Sequence, residues 1–236
     1  MSTAGHLALF SPPITRYVPA MLFITGTDSG VGKTHFSCLL LRHLRQDGIQ
    51  AVGFKPICCG DRDDAVQLAK ASDDALTVNA CNPVWMRFPA APYTSSIIEE
   101  RPIELGQIRD QWQTLRARFP SIVVEGAGGW CVPIQRNYST ADLARELNLP
   151  VVIVAANRLG VLNHTLLTLQ AIEMAGLICA GIVLNNGVAP TDSVTITNRS
   201  ILEDLLHGTA VGVLGEIDAN QPALPKDMRQ KLRPYF

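Results

Sequence analysis

The chain predicts an α/β fold, a mostly parallel sheet flanked by helices, and three observations predict it. Apolar runs of strand length alternate with helical patterns along most of the sequence. Those runs are rich in Val and Ile and lack the polar alternation of a half-solvated strand, as burial on both faces requires. A glycine-rich turn joins the first strand to the first helix, and such sheets gather ligands outside the carboxyl ends of their strands.

The elements follow in order. Residues 1–20, with a Pro12-Pro13 pair and no basic start, read as a flexible tail, because a secretory signal needs a charged start and a longer apolar core. "MLFITG" (21–26) is the first strand, and the helix after it carries Phe36, Leu39, Leu40 and Leu44 on one side. "AVGFKP" (51–56) is a second strand, ended by Pro56. A shorter amphipathic helix fits 63–71, and the proline-rich, mixed stretch 77–103 reads as surface loops. Helical patterns near 104–118, 139–147, 161–175 and 193–206 then separate the strands "SIVVEG", "PVVIVAA", "CAGIVLNN" and "AVGVLGEI". No interior break is visible, so residues 21–236 are expected to form a single domain.

Composition removes several function classes. Hydrophobic residues make up 47%, enough for a sizeable core. With 20 basic and 21 acidic residues, no nucleic-acid or anionic-membrane partner is expected. No apolar run reaches the roughly 18 residues of a membrane span, and no terminal amphipathic basic helix is evident for membrane docking. Cys38, Cys58, Cys59, Cys81, Cys131 and Cys179 include no C-x-x-C pair. They are expected to be mostly buried small apolar groups in a reducing compartment, the cytoplasm.

The chemistry concentrates after the strands. "GTDSGVGKT" (26–34) is a phosphate loop with an offset. The pattern G-x-x-x-x-G-K-[ST] asks for glycine at position 27, where Thr27 stands, and the glycine is Gly26. Gly30 and Gly32 let backbone N–H groups approach phosphate oxygens, and the following helix adds the positive end of its dipole. Lys33 would neutralise the β- and γ-phosphates, and the Thr34 hydroxyl would ligate Mg2+. A turn that merely starts a helix is the plain alternative, but Lys-Thr directly after the glycines favours nucleotide. Glu125, at a strand end before "GAGG", reads as a metal-holding carboxylate; a solvated strand-end residue is the plain alternative, and the glycines that let a backbone approach a ligand favour the metal role. Asp64 is a second candidate, although an acidic residue at a helix start also suits the dipole, and spacing does not separate the two readings. Lys55 would face the same edge as Lys33, and two cations there imply a second anionic group beside the γ-phosphate.

Together "GTDSGVGKT", "KPICCG", "VEGAGGW", "LGVLNHTLLTLQAI" and "LGEI", in this order, resemble the dethiobiotin synthetase family from about Met21 to Ile217. That family's loop reads G-T-D-[ST]-x-V-G-K-T, with its first glycine one place early. The resemblance implies a P-loop architecture and a homodimer. It also implies an ATP- and Mg2+-dependent ligase that closes the cyclic urea of dethiobiotin from 7,8-diaminopelargonate and CO2, through a carbamate and a carbamic–phosphoric anhydride. It implies catalytic roles for Lys33 and Lys55 and metal contacts for Thr34, Asp64 and Glu125. Nucleotide positions are Gly30, Val31, Gly32, Lys33, Thr34, His35, Asp64, Glu125, Gly126, Ala127, Gly128, Asn185 and Asn186, with Asn185 at the adenine-reading place. Ser29 and Cys59 fall beside the substrate. Leu159, Gly160, Val161, Leu162 and Asn163 form a helix start that receives the substrate carboxylate across the dimer interface. Departures fall on the substrate side: Cys59 and Ala91 stand where the family has serines, Tyr93 where it has histidine, and Asn186 where many members have aspartate.

Two rivals share the phosphate loop. Partition and division-site ATPases keep a lysine five residues before the GKT lysine, where this chain has Asp28. Amidating synthetases of cobalamin synthesis carry a glutaminase domain, for which the residues after 217 are too few.

Overall fold

The computed structural model describes residues 20–187 and 193–236, so the tail expected over residues 1–20 lies outside the described residues except for Ala20, which opens the first strand. In chain order the elements are β1 (Ala20–Gly26), α1 (Lys33–Gln46), β2 (Ala51–Phe54), β3 (Ile57–Cys59), α2 (Asp63–Ala71), α3 (Val78–Cys81), β4 (Val84–Met86), α4 (Pro92–Ile98) and α5 (Leu105–Arg118). They continue with β5 (Ser121–Gly129), β6 (Pro133–Gln135), β7 (Tyr138–Ser139), α6 (Thr140–Leu147), β8 (Val151–Ala156), α7 (Val161–Met174), β9 (Cys179–Asn185), α8 (Ser193–Leu205), β10 (Val213–Ile217) and α9 (Lys226–Leu232).

Six strands form one sheet in the order β10-β9-β8-β1-β5-β2, with every pairing parallel. The period-2 alternation of side chains splits β1 between two cores. Leu22 and Ile24 join Phe36, Leu40, Leu68 and Met228 on the face covered by α1, α2 and α9. Phe23 joins Trp112, Leu143, Ile172 and Leu202 on the face covered by α5, α6, α7 and α8. Its ring meets Trp130 edge-on, 6.4 Å between centroids. Both faces are therefore buried, which is why the strands carry no polar alternation.

Two sequence expectations need correction. Residues 77–103 are not surface loops: β4 pairs in parallel with β3, and Cys81, Val84, Met86 and Ser95 are buried. Thr77 caps α3 through the amide of Ala80, and Pro92 opens α4, where a missing N–H costs nothing. Elements this short show no periodicity. The second correction is an omission: the sequence patterns name no helix after 206, whereas α9 forms near the carboxyl end with Arg229 and Lys231 in its last turn. Met228 and Leu232 bury its apolar face completely, so that face is spent inside the molecule. Among the described residues no helix is long and apolar enough to cross a membrane. Cys38, Cys58, Cys81 and Cys179 are buried, Cys59 is half-buried and Cys131 is exposed.

Candidate active site

The carboxyl ends of β1, β2 and β5 open onto a cleft of about 590 Å3. The loop after β1 folds back on itself, and this explains the offset glycine. A Cβ at Gly26 would lie 2.7 Å from Val31 Cγ2 and 2.8 Å from the Asp28 carbonyl oxygen. Gly32 has φ +94°, which disfavours a side chain, and a Cβ there would fall 2.0 Å from Asn185 Nδ2. Lys33 Nζ closes the loop by donating to the Asp28 carbonyl at 3.0 Å, which uses one of its three donors. Burial first, then the neighbouring charge of Lys55, pulls the Lys33 ammonium down to about 8.

Beside the loop, four side chains from distant parts of the chain form one knot. Lys55 Nζ donates to Glu125 Oε1 at 2.6 Å, Asp64 Oδ2 at 2.8 Å and the Gly126 carbonyl at 3.3 Å, so all three donors are used. Burial opposes the Lys55 charge, but Glu125 and Asp64 outweigh it and hold the ammonium above its usual range. Burial likewise works against the Asp64 carboxylate, and the Lys55 charge and hydrogen bond reverse this, holding it below the usual range. Thr34 Oγ1 lies 2.7 Å from Asp64 Oδ1 and 2.9 Å from Glu125 Oε1. Its single proton serves one carboxylate at a time. Glu125 is fully buried, and its Oε2 has no protein partner. Three oxygen ligands crowded together with too few protons are what a small hard divalent cation takes.

The β3–α4 side of the cleft is apolar, lined by Ile57, Cys59, Ala91 and Pro92, and forms its far arm. Ser95, which sequence reading passed over, shapes this arm. Its buried hydroxyl lies 2.9 Å from the Phe88 carbonyl and 3.1 Å from that of Ala91. Burial pushes the Cys59 thiol up, against a hydrogen bond with Ser95. Asp61, Cys58, Pro89 and Ala90 also line the cleft; Cys58 lies within the quoted stretch "KPICCG" and Asp61 directly after it. Thr140 was missed because it is remote in sequence; its hydroxyl donates to the Ala127 carbonyl at 3.2 Å under the glycine-rich end of β5.

The structure brings Ser29, Gly30, Gly32, Lys33, Thr34, Lys55, Cys59, Asp64, Ala127 and Gly128 to the cleft wall, with Glu125 behind it. Val31 is buried beneath the loop. His35 lies aside, its Nε2 2.9 Å from the Asp218 carbonyl oxygen. Asn185 packs on the loop and donates to the Val31 carbonyl at 3.0 Å, while Asn186 points its amide at Glu216. Residues 159–163 do not line the cleft. Leu159 is 84% exposed, and Gly160, in the left-handed region, caps α7.

A family model described as an AAA domain matches residues 20–226. The ATP-dependent dethiobiotin synthetase BioD of Akkermansia muciniphila is 42% identical over 205 residues, 87% of this chain and 95% of that one. The protein of the same name from Anaeromyxobacter sp. strain K is 42% identical over 197 residues, 82% of this chain and 88% of its own. The septum site-determining protein MinD of Pyrococcus horikoshii, solved with Mg-ADP, superimposes with a TM-score of 0.53 at 17% identity, over 91% of this chain and 88% of that one. At that identity the likeness shows the fold alone, a parallel sheet of P-loop type. Identity over nearly the whole chain goes further, and the chain belongs to the ATP-dependent dethiobiotin synthetase family.

Proposed function

We propose that the chain closes the cyclic urea of dethiobiotin from 7,8-diaminopelargonate and CO2 while splitting ATP to ADP and phosphate, with Mg2+ as its metal. A carbamate on one amine attacks the γ-phosphate; the second amine then displaces phosphate from the mixed anhydride and closes the ring. The observation that carries the reading is the pair of buried ammonium groups, Lys33 and Lys55, on one wall of a cleft with an apolar far arm. Two anions, carbamate and phosphate, must approach each other, and fixed positive charge in a low-dielectric wall lowers that cost. Lys33 has donors to spare for phosphate oxygens. Lys55 has none, and what it offers the cleft is its charge. The amides at the start of α1 complete the phosphate cradle, and the apolar arm takes the aliphatic chain of the diamine. Thr34, Asp64 and Glu125 are the residues that would hold Mg2+, whose charge would offset that of the phosphates.

The reading includes a homodimer. Leu167 and Met174 on α7, with Leu159 just before it, are apolar side chains 57–89% exposed, and patches of this kind favour an interface. Residues 159–163 of one copy would meet the diamine carboxylate in the cleft of the other.

The test is phosphate release from ATP by the purified protein. Release is expected only with diaminopelargonate and bicarbonate together, and Lys55→Ala is expected to bind ADP yet release nothing. Release without the diamine, or stimulated instead by DNA or lipid, would overturn the reading in favour of a switch ATPase.

A further inference from the structure

Away from the cleft, a relay of amides ties the ends of three strands to α8. Asn198 Nδ2 donates to Asn157 Oδ1 at 2.8 Å, Asn157 Nδ2 to Asn186 Oδ1 at 2.7 Å, and Asn186 Nδ2 to Glu216 Oε2 at 3.0 Å. Asn157 Nδ2 also donates to the Thr195 carbonyl at 3.0 Å. The Glu216 carboxylate and the Thr195 carbonyl can only accept, so between them they set which way each amide faces. Asn157 and Asn198 are buried, and a reversed amide there would strand a polar group away from water.

The relay lies between two parts of the proposed site. On one side, Asn186 follows Asn185, whose amide holds the phosphate loop at the Val31 carbonyl. On the other, the Asn157 backbone amide donates to the Asn185 carbonyl at 2.8 Å, and the chain runs within three residues from Asn157 to Gly160, the cap of α7. We infer that Asn157 and Asn198 are positioning residues that hold the start of α7 in register with the phosphate loop. For its catalytic consequence the inference rests on the proposed function: slack at residues 159–163 weakens capture of the diamine carboxylate and leaves the chemical steps unaltered.

Two variants and two readouts test this. Asn198→Leu is close in size and cannot donate to Asn157 Oδ1, and Asn157→Ala removes the centre of the relay. Hydrogen–deuterium exchange on the full chain is expected to quicken in peptides covering 157–166, with the protection of α1 unchanged. The KM for the diamine should rise about fivefold for each neutral hydrogen bond lost, with kcat within about twofold. Asn198→His, whose ring N–H can replace the lost donor, should recover most of the KM. Unchanged exchange at 157–166, or faster exchange throughout with a fall in Tm, overturns the inference. Local quickening with an unchanged KM overturns its link to the diamine. A wild-type protein without diamine-dependent turnover would instead overturn the proposed function, and the exchange data would still decide the relay.

Discussion

Lys33 is nearly buried, and its nearest partner is a carbonyl rather than a carboxylate, so its charge is held weakly until an anion arrives. A lysine lowered to about 8 from its ordinary 10.5 releases its proton earlier in the native protein than in the unfolded chain. Between those values the unfolded chain holds more protons, so the free energy of unfolding gains from this residue as pH rises through that window. Nucleotide binding runs the other way, because phosphate wants the charged form. We predict that ADP affinity, measured calorimetrically, falls by up to about tenfold per pH unit above pH 8, with proton uptake from the buffer on binding near that pH. A flat affinity from pH 7 to 10 would show that Lys33 stays charged. The individual residues of the knot were legible as strand-end or helix-start residues. Their meeting was implied by the family resemblance and not by spacing, because Lys55 and Glu125 are 70 residues apart in sequence and the pairing of β5 with β2 makes them neighbours.

At the scale of elements, the segment from β3 to α4 separates what a sequence states from what it conceals. The long strands and helices were legible because each repeats its pattern over enough residues to be read. The short pieces between 77 and 98 are held by tertiary contacts, such as the β3–β4 pairing and Asn82 Nδ2 donating to the Lys55 carbonyl at 2.8 Å. Pro89, Ala90, Ala91 and Pro92 also line the cleft, so what looked like connecting chain shapes one of its walls. Ser95 holds that wall by its carbonyls. Ser95→Ala should cost about 1–3 kcal/mol, the loss of a buried donor among fixed acceptors. Calorimetry should show Tm falling by several degrees, and an unchanged Tm would mean that the backbone amides of Ser95 and Ala90, which already reach the Ala91 and Phe88 carbonyls, suffice.

At the scale of the molecule, the single chain leaves its proposed site divided: the phosphate cradle lies in the cleft, while Leu159, Gly160 and Asn163 are exposed at the start of α7 and outside that cleft. A charge among the exposed apolar side chains of α7 should keep copies apart. We predict that Leu167→Glu sediments as a monomer and loses diamine-dependent turnover while still binding ADP; an unaltered mass would place the interface elsewhere. The sheet order has a further consequence, for synthesis. β1 is made first yet sits at the centre, and its partners β5 and β8 follow some 100 and 130 residues later. At about 5–20 residues per second, the apolar strand waits roughly 5–20 s for its first neighbour. During that interval "MLFITG" is an unpaired, uncharged, strand-forming segment, the kind that associates with copies of itself. Yield in a heterologous host should therefore depend on what shelters the nascent chain as much as on the stability of the finished fold.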